Sequence, residues 1–306
     1  MGAIMKKLLL ASAAFVLFAG TSVLAADLPV KAPVYKAPVE PVFSWTGFYV
    51  GGNVGYSWGR ASTDLTETVN TTATITTLNG TPIASATATT TSAGSDRAHL
   101  NGGLVGIQAG HNWQTDRYVW GLEGDIQWTG ERGGITICPV AAGVAAGPCP
   151  GPTGTQFGTA SYRLPWFGTL RGRVGVTFDR VMLYATGGLA AAEIKADYTD
   201  GTFGGTTLNP LATGSANTTR AGWVFGGGIE GAIDRNWSIK AEYLHMDFGS
   251  IDQSISASGV PLSVVIGDFR TTLSQNLTSA FHTRVTDDVF RIGVNYRFGG
   301  PVVAKY

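Results

Sequence analysis

The sequence predicts an all-β protein, an eight-stranded antiparallel up-and-down transmembrane β-barrel that follows a cleaved signal peptide. Three observations predict it. Segments of roughly ten residues recur in which apolar side chains alternate with glycine, polar and charged ones. Aromatic residues gather at the ends of those segments. The links between segments are short and long in turn, which is how tight periplasmic turns alternate with long external loops.

The N-terminus sets the compartment. Lys6 and Lys7 precede the apolar run LLLASAAFVLF and the small-residue stretch AGTSVLAADLP. That is a secretory signal peptide over residues 1–25, with Val23 and Ala25 suited to the cleavage site and Ala26 as the mature start. The other reading, an anchoring helix, meets a run too short to span a bilayer. Residues 26–45 follow as a Pro-rich arm with the repeated unit KAPV. Proline fixes φ and removes a donor, so the arm is expected to be an extended spacer on the periplasmic side.

The barrel is expected over 46–298. TGFYVGGNVGYSWG (46–59) puts Phe48, Val50, Val54, Tyr56 and Trp58 on one parity. HLNGGLVGIQAGHNW (99–113) does so with Val105 and Ile107, and YVWGLEGDIQW (118–128) sets Trp120, Leu122 and Ile126 against Glu123 and Asp125. WFGTLRGRVGVTF (166–178) opposes Leu170, Val174 and Val176 to Arg171 and Arg173. VMLYATGGLAAA (181–192) sets Leu183 and Leu189 against Tyr184, and GWVFGGGIEGAI (222–233) sets Trp223 and Phe225 against Glu230. WSIKAEYLHMDF (237–248) opposes Ile239 and Tyr243 to Lys240 and Glu242, and VFRIGVNYRF (289–298) opposes Phe290, Ile292 and Val294 to Arg291 and Arg297. Short links at 114–117, 179–180 and 234–236 each contain Asp-Arg; the stretches 60–98, 130–161, 197–220 and 249–287 read as long loops, the first a Thr/Ala-biased solvated one.

Composition removes several classes. No later run of eighteen apolar residues suggests a spanning helix. A charged fraction of 14% beside 10% aromatics and 43 glycines does not fit a disordered chain. Basic and acidic residues number 21 each, so nucleic acid is not an expected partner. The charged parity cannot face hydrocarbon, so the apolar parity is assigned to lipid and the charges to the lumen.

Glu123, Asp125, Glu230 and Glu242 then share the lumen with Arg171, Arg173, Lys240, Arg291 and Arg297. An eight-stranded interior is only just wide enough for side chains to fill. Near-equal opposite charges are expected to pair as a plug, with a narrow gated solute path as the other reading. His99, His245 and Asp247 lie near strand ends without a nucleophile elbow, metal spacing or phosphate loop, so neither enzyme activity nor a cofactor or metal is expected. Cys138 and Cys149 bracket PVAAGVAAGP; in an exported chain they read either as a loop-closing disulfide or as two free thiols.

The stretches GFYVGGNVGYSWG, LYATGGLA, GWVFGGGIE, WSIKAEY and RIGVNYRF together resemble the porin-like outer-membrane β-barrel family, and within it the small surface-antigen, or outer-membrane immunogenic protein, group. The resemblance covers residues 45–298. It implies residence in the outer membrane of a Gram-negative bacterium, among outer-membrane lipid and lipopolysaccharide, and insertion by the barrel assembly machinery. Tyr296 and Phe298 match the C-terminal insertion signal, but GGPVVAKY follows, which leaves Phe298 or Tyr306 as its end. In barrels that this one resembles, a processed Ala-Asp start before a Pro-rich arm can be joined to peptidoglycan, which implies attachment through Ala26 and Asp27. The expected function is structural: envelope integrity and surface display. A narrow passive porin, and loop-mediated binding of a ligand (haem-like ones included) or a host surface, are the alternatives.

Overall fold

The computed structural model describes residues 43–138, 140–141, 156–202 and 211–298. The signal segment, Ala26, Asp27, Cys149 and the tail 299–306 lie outside the described residues.

The described residues form ten antiparallel strands: β1 (Gly47–Thr77), β2 (Pro82–Thr115), β3 (Tyr118–Ile137), β4 (Val140–Ala141), β5 (Gln156–Phe178), β6 (Val181–Thr202), β7 (Ala212–Ala232), β8 (Trp237–Ser258), β9 (Leu262–Ile266) and β10 (Phe269–Phe298). The long strands pair in one closed circuit, β1-β2-β3-β5-β6-β7-β8-β10 and back to β1, while β4 adds to β2 and β9 to β10. Closure is made by the first and last long strands, from Phe48 opposite Phe298 to Thr77 opposite Phe269. A closed ring leaves no unpaired strand edge in hydrocarbon. Asp116 and Asp179 sit in the two tight turns with φ of 52° and 55°, a conformation that Asp tolerates better than most residues.

Alternation decides the facing. Leu170 and Val174 are 63% and 64% exposed, whereas Arg171 and Arg173 between and beside them are 1% and 3%. The apolar parity is outside along the turn-proximal half of every long strand, as lipid requires.

The expected long loops are the main correction. Much of 60–98, 130–161, 197–220 and 249–287 continues the strands: β1 and β2 run on as one hairpin through Val69 opposite Thr90, and β10 starts at Phe269. β-branched Thr suits a pleated sheet as well as it suits a polar surface, so Thr-rich composition alone does not mark a loop.

In these outer extensions the polarity reverses. On β1, Arg60, Ser62 and Asp64 now take the outward parity while Ala61 and Leu65 point in. On β10, Phe290 is exposed but Val289, Val285, Phe281 and Leu277 are buried. The buried side chains merge into one apolar core that includes Leu100, Leu164, Phe167, Ile194, Met246 and Phe248. Outside the bilayer water is the external solvent, so the barrel there is built like a soluble one. Register shifts at Trp128/Glu131, Arg163/Phe167 and Arg284/Thr286 fall near the reversal, where a bulge can re-aim side chains.

Candidate functional site: a charged lumen closed at both ends

The inward side chains of the membrane half meet at the barrel axis. Arg171 lies 2.5 Å from Glu123, 2.9 Å from Asp125 and 3.0 Å from Glu242. Arg291 reaches Glu242 at 2.6 Å and Asp125 at 3.0 Å. Lys240 donates to Glu123 at 2.8 Å, and Arg173 bridges Glu230 at 3.2 Å and Glu123 at 3.5 Å. The structure thus joins Arg171, Arg173, Lys240 and Arg291 to Glu123, Asp125, Glu230 and Glu242, cation for carboxylate. All eight come from β3, β5, β7, β8 and β10, so the cluster ties opposite walls together.

Neutral groups complete it. Tyr49 donates to Glu123 at 2.6 Å and Tyr184 to Glu242 at 3.0 Å. Ser238 and Asn295 donate to Glu230 at 2.6 and 2.9 Å, and Asn112 accepts from Arg173 at 2.8 Å. Sequence reasoning missed these polar partners because a lone Tyr or Asn carries no charge to be balanced. Their inward parity was the available signal.

Space for so many long side chains comes from glycines facing the lumen. A Cβ on Gly110 would stand 2.3 Å from the Tyr49 hydroxyl and 2.6 Å from the Leu122 carbonyl. Small and large inward residues therefore alternate across neighbouring strands, which suits a narrow barrel.

Arg297 departs from the expected network. No carboxylate lies within ion-pair distance of it among the described residues; it donates to the Arg235 carbonyl at 2.8 Å and stacks on Phe43 and Trp45, 4.4 and 5.4 Å from the ring centres. It is the penultimate residue of β10, at the short-turn mouth of the barrel, beyond the paired charges. Trp45, itself 1% exposed, packs with Val119, Met182 and Tyr184, and its backbone N–H donates to Gln114 at 2.7 Å. Residues 43–46 thus lie at one end of the charged cluster, and the apolar core lies at the other.

The remaining candidates are dispersed. Tyr296 and Phe298 face outward and meet edge to face, with Phe298 also against Phe48. His245 Nδ1 lies 2.7 Å from Asp288, which also accepts from Tyr243, and Asp247 takes Arg284 at 2.6 Å instead. His99 opposes Arg60 on the outer face. Cys138, just past β3, is disulfide-bonded.

A strand ring with lipid-facing aromatics around a charged interior is the design of an outer-membrane barrel. The family model for the outer membrane protein beta-barrel domain matches residues 12–298. The chain belongs to this family. It is 33% identical to a 31 kDa outer-membrane immunogenic protein of Brucella melitensis, over 96% of this chain and 100% of that one. It is 26% identical to a 25 kDa outer-membrane immunogenic protein of the same organism, over 87% and 95% of the two chains. A 22 kDa outer membrane protein of Rhizobium leguminosarum bv. viciae is also 26% identical, over 72% and 73%. As a member of the outer-membrane surface-antigen group, the barrel resides in the outer membrane of a Gram-negative cell.

Proposed function

We propose that the protein is a closed structural barrel that supports envelope integrity and holds long hairpins above the cell surface. The observation that carries this reading is the filled lumen. Four cations are matched by four carboxylates in the membrane half, an apolar core fills the outer half, and Trp45 with Arg297 occupies the inner mouth. A water-filled path would need polar walls left apart, and these walls touch. Refolded mature protein in planar bilayers should give no steady single-channel steps; reproducible unitary conductance would overturn the reading in favour of a passive porin.

Two refinements follow the same architecture. Phe43 and Trp45 lie at the short-turn end of the barrel, which supports a mature N-terminus on the periplasmic side, where attachment to peptidoglycan through Ala26 would tether membrane to wall. Digested cell wall should then release muropeptides joined to Ala26, and a wholly free amine there would refute the tether. Surface contact is supported by β9, whose residues Leu262, Val264, Val265 and Ile266 are all exposed at the outer end. Deleting 260–268 should weaken binding to host-cell surfaces without changing barrel folding.

A further inference from the structure

The four cations at the barrel axis meet four carboxylates, but several cations of the outer face meet none among the described residues. Arg60 on β1, Arg97 on β2 and Arg132 on β3 project outward on three adjacent strands, all exposed. They begin two to four residues past the outermost lipid-facing tryptophans, Trp58 and Trp128, at the height of the headgroups. None of the three has a carboxylate within ion-pair distance among the described residues. Asp64, Asp96 and Glu131 are the acids nearest in sequence; Glu131 is buried on the inward face, and Asp96 accepts from the Arg97 backbone N–H at 2.7 Å, not from its guanidinium.

The arc continues sideways. Arg132 stands directly opposite Arg163, and Arg163 directly opposite Lys195, while Arg60 opposes His99. Like charges placed opposite one another destabilise a sheet. Asp197, 2.8 Å from Arg163, and Glu193, 3.4 Å from Lys195, offset part of that repulsion, and no acid among the described residues is paired with Arg132, Arg60 or Arg97. By contrast, the arginines of the periplasmic turns, Arg117, Arg180 and Arg235, each follow an aspartate. A cationic arc at the headgroup level, above an apolar band, calls for a ligand with anionic oxygens above acyl chains.

We propose that this arc on β1, β2, β3, β5 and β6 is a binding site for the phosphate groups of lipopolysaccharide, whose acyl chains lie along Val54, Val105 and Ile126 below it. The forked guanidinium suits phosphate because it donates two parallel hydrogen bonds to adjacent oxygens. The proposal rests on the outer-membrane reading, with the hairpins outside and lipopolysaccharide in the leaflet they cross.

Native mass spectrometry of the refolded full-length mature barrel tests it, with three probes: bisphosphorylated lipid A, the same lipid A dephosphorylated, and phosphatidylglycerol. Bisphosphorylated lipid A should be retained about tenfold better than either other probe, and Arg60→Gln/Arg97→Gln/Arg132→Gln should remove that advantage. Arg117→Gln/Arg180→Gln/Arg235→Gln, at the opposite end, should keep it. Equal retention of the dephosphorylated lipid or of phosphatidylglycerol, or full retention by the outer triple variant, would overturn the site. Heat-modifiable migration on gels checks that each variant is folded; should the outer triple variant not fold, Arg132→Gln alone must lower retention of the phosphorylated probe. Protease cleavage of the β1–β2 hairpin on intact cells tests the orientation separately, so a wrong orientation is not mistaken for a failed site.

Discussion

At the residue scale, Glu123 is the side chain on which most of the lumen depends. It accepts from Arg171, Lys240 and Tyr49 and lies 3.5 Å from Arg173, with 2% of its surface exposed. Neutralising it leaves Lys240 with only Glu242, 3.9 Å away, and the buried cluster one positive charge in excess, and breaking a buried pair typically costs about 3–5 kcal/mol. Glu123→Gln should lower the melting temperature in detergent, read from heat-modifiable migration. Adding Lys240→Met should recover part of the loss, since it removes one orphaned charge; full additivity of the two losses would mean that the pair is not coupled. Gly110 makes a second test. Gly110→Ala pushes a methyl against Tyr49 and a backbone carbonyl, at a cost of about 1–3 kcal/mol. Outward Gly124 has no atom nearer than 3.8 Å to a Cβ placed there, so Gly124→Ala should be neutral in the same melt. The identity of the paired charges was legible in sequence because a charge on the inward parity has few places to go. Arg297 was not, because parity gives the face and not the depth, and at the mouth aromatic rings take the place of carboxylates.

At the scale of the element, each long strand is two amphipathic strands in series with opposite sense. The lipid half was readable from large aromatics and charges of high contrast. The outer half was missed because its contrast is weak: Ala61, Leu65 and Val69 alternate with Ser, Thr and Asp inside a Thr-rich stretch. The parity swap at Val289 and Phe290, both apolar and adjacent, was the visible sign that one apolar face ends and the other begins. The outer halves also carry a pH response. Burial, and then the charge of Asp200, push the Glu67 carboxyl up to about 8, against a hydrogen bond from Ser92. Burial pushes Asp200 up to about 6, against a hydrogen bond with Ser279. Both carboxyls hold their protons longer folded than unfolded, so stability is full at pH below their ordinary values. It falls as pH rises, is lost for Asp200 by about 6 and for Glu67 by about 8. Melting should therefore occur at lower temperature at pH 8.5 than at pH near 5. Glu67→Gln should flatten the upper part of that profile; an unchanged profile would show that Glu67 is not the group responsible.

At the scale of the molecule, the proposed closure is redundant, with the charged cluster, the apolar core and the residues at the mouth stacked along one axis. Glu123→Gln should accordingly remain non-conducting in planar bilayers even where it lowers the melting temperature. A leak from that single change would show that the apolar core does not seal. The ring itself was legible from eight alternating segments and their unequal links; the β4 and β9 additions were not, since short strands leave almost no period to read. The reversal of polarity near Trp58, Trp128 and Phe290 has one more consequence. It acts as a waterline drawn on the protein, because sinking the barrel would drag Arg60 and Arg132 into hydrocarbon and raising it would lift Tyr56 and Val54 into water. The depth of immersion is thus fixed by sequence, and with it the height of everything above. From Trp58 to Thr77, at roughly 3.3 Å per residue and a tilt of about 40°, the β1–β2 hairpin stands on the order of 45 Å clear of that line. What a neighbouring cell or an antibody first meets is therefore a stiff mast of paired strands, held at constant elevation above the membrane.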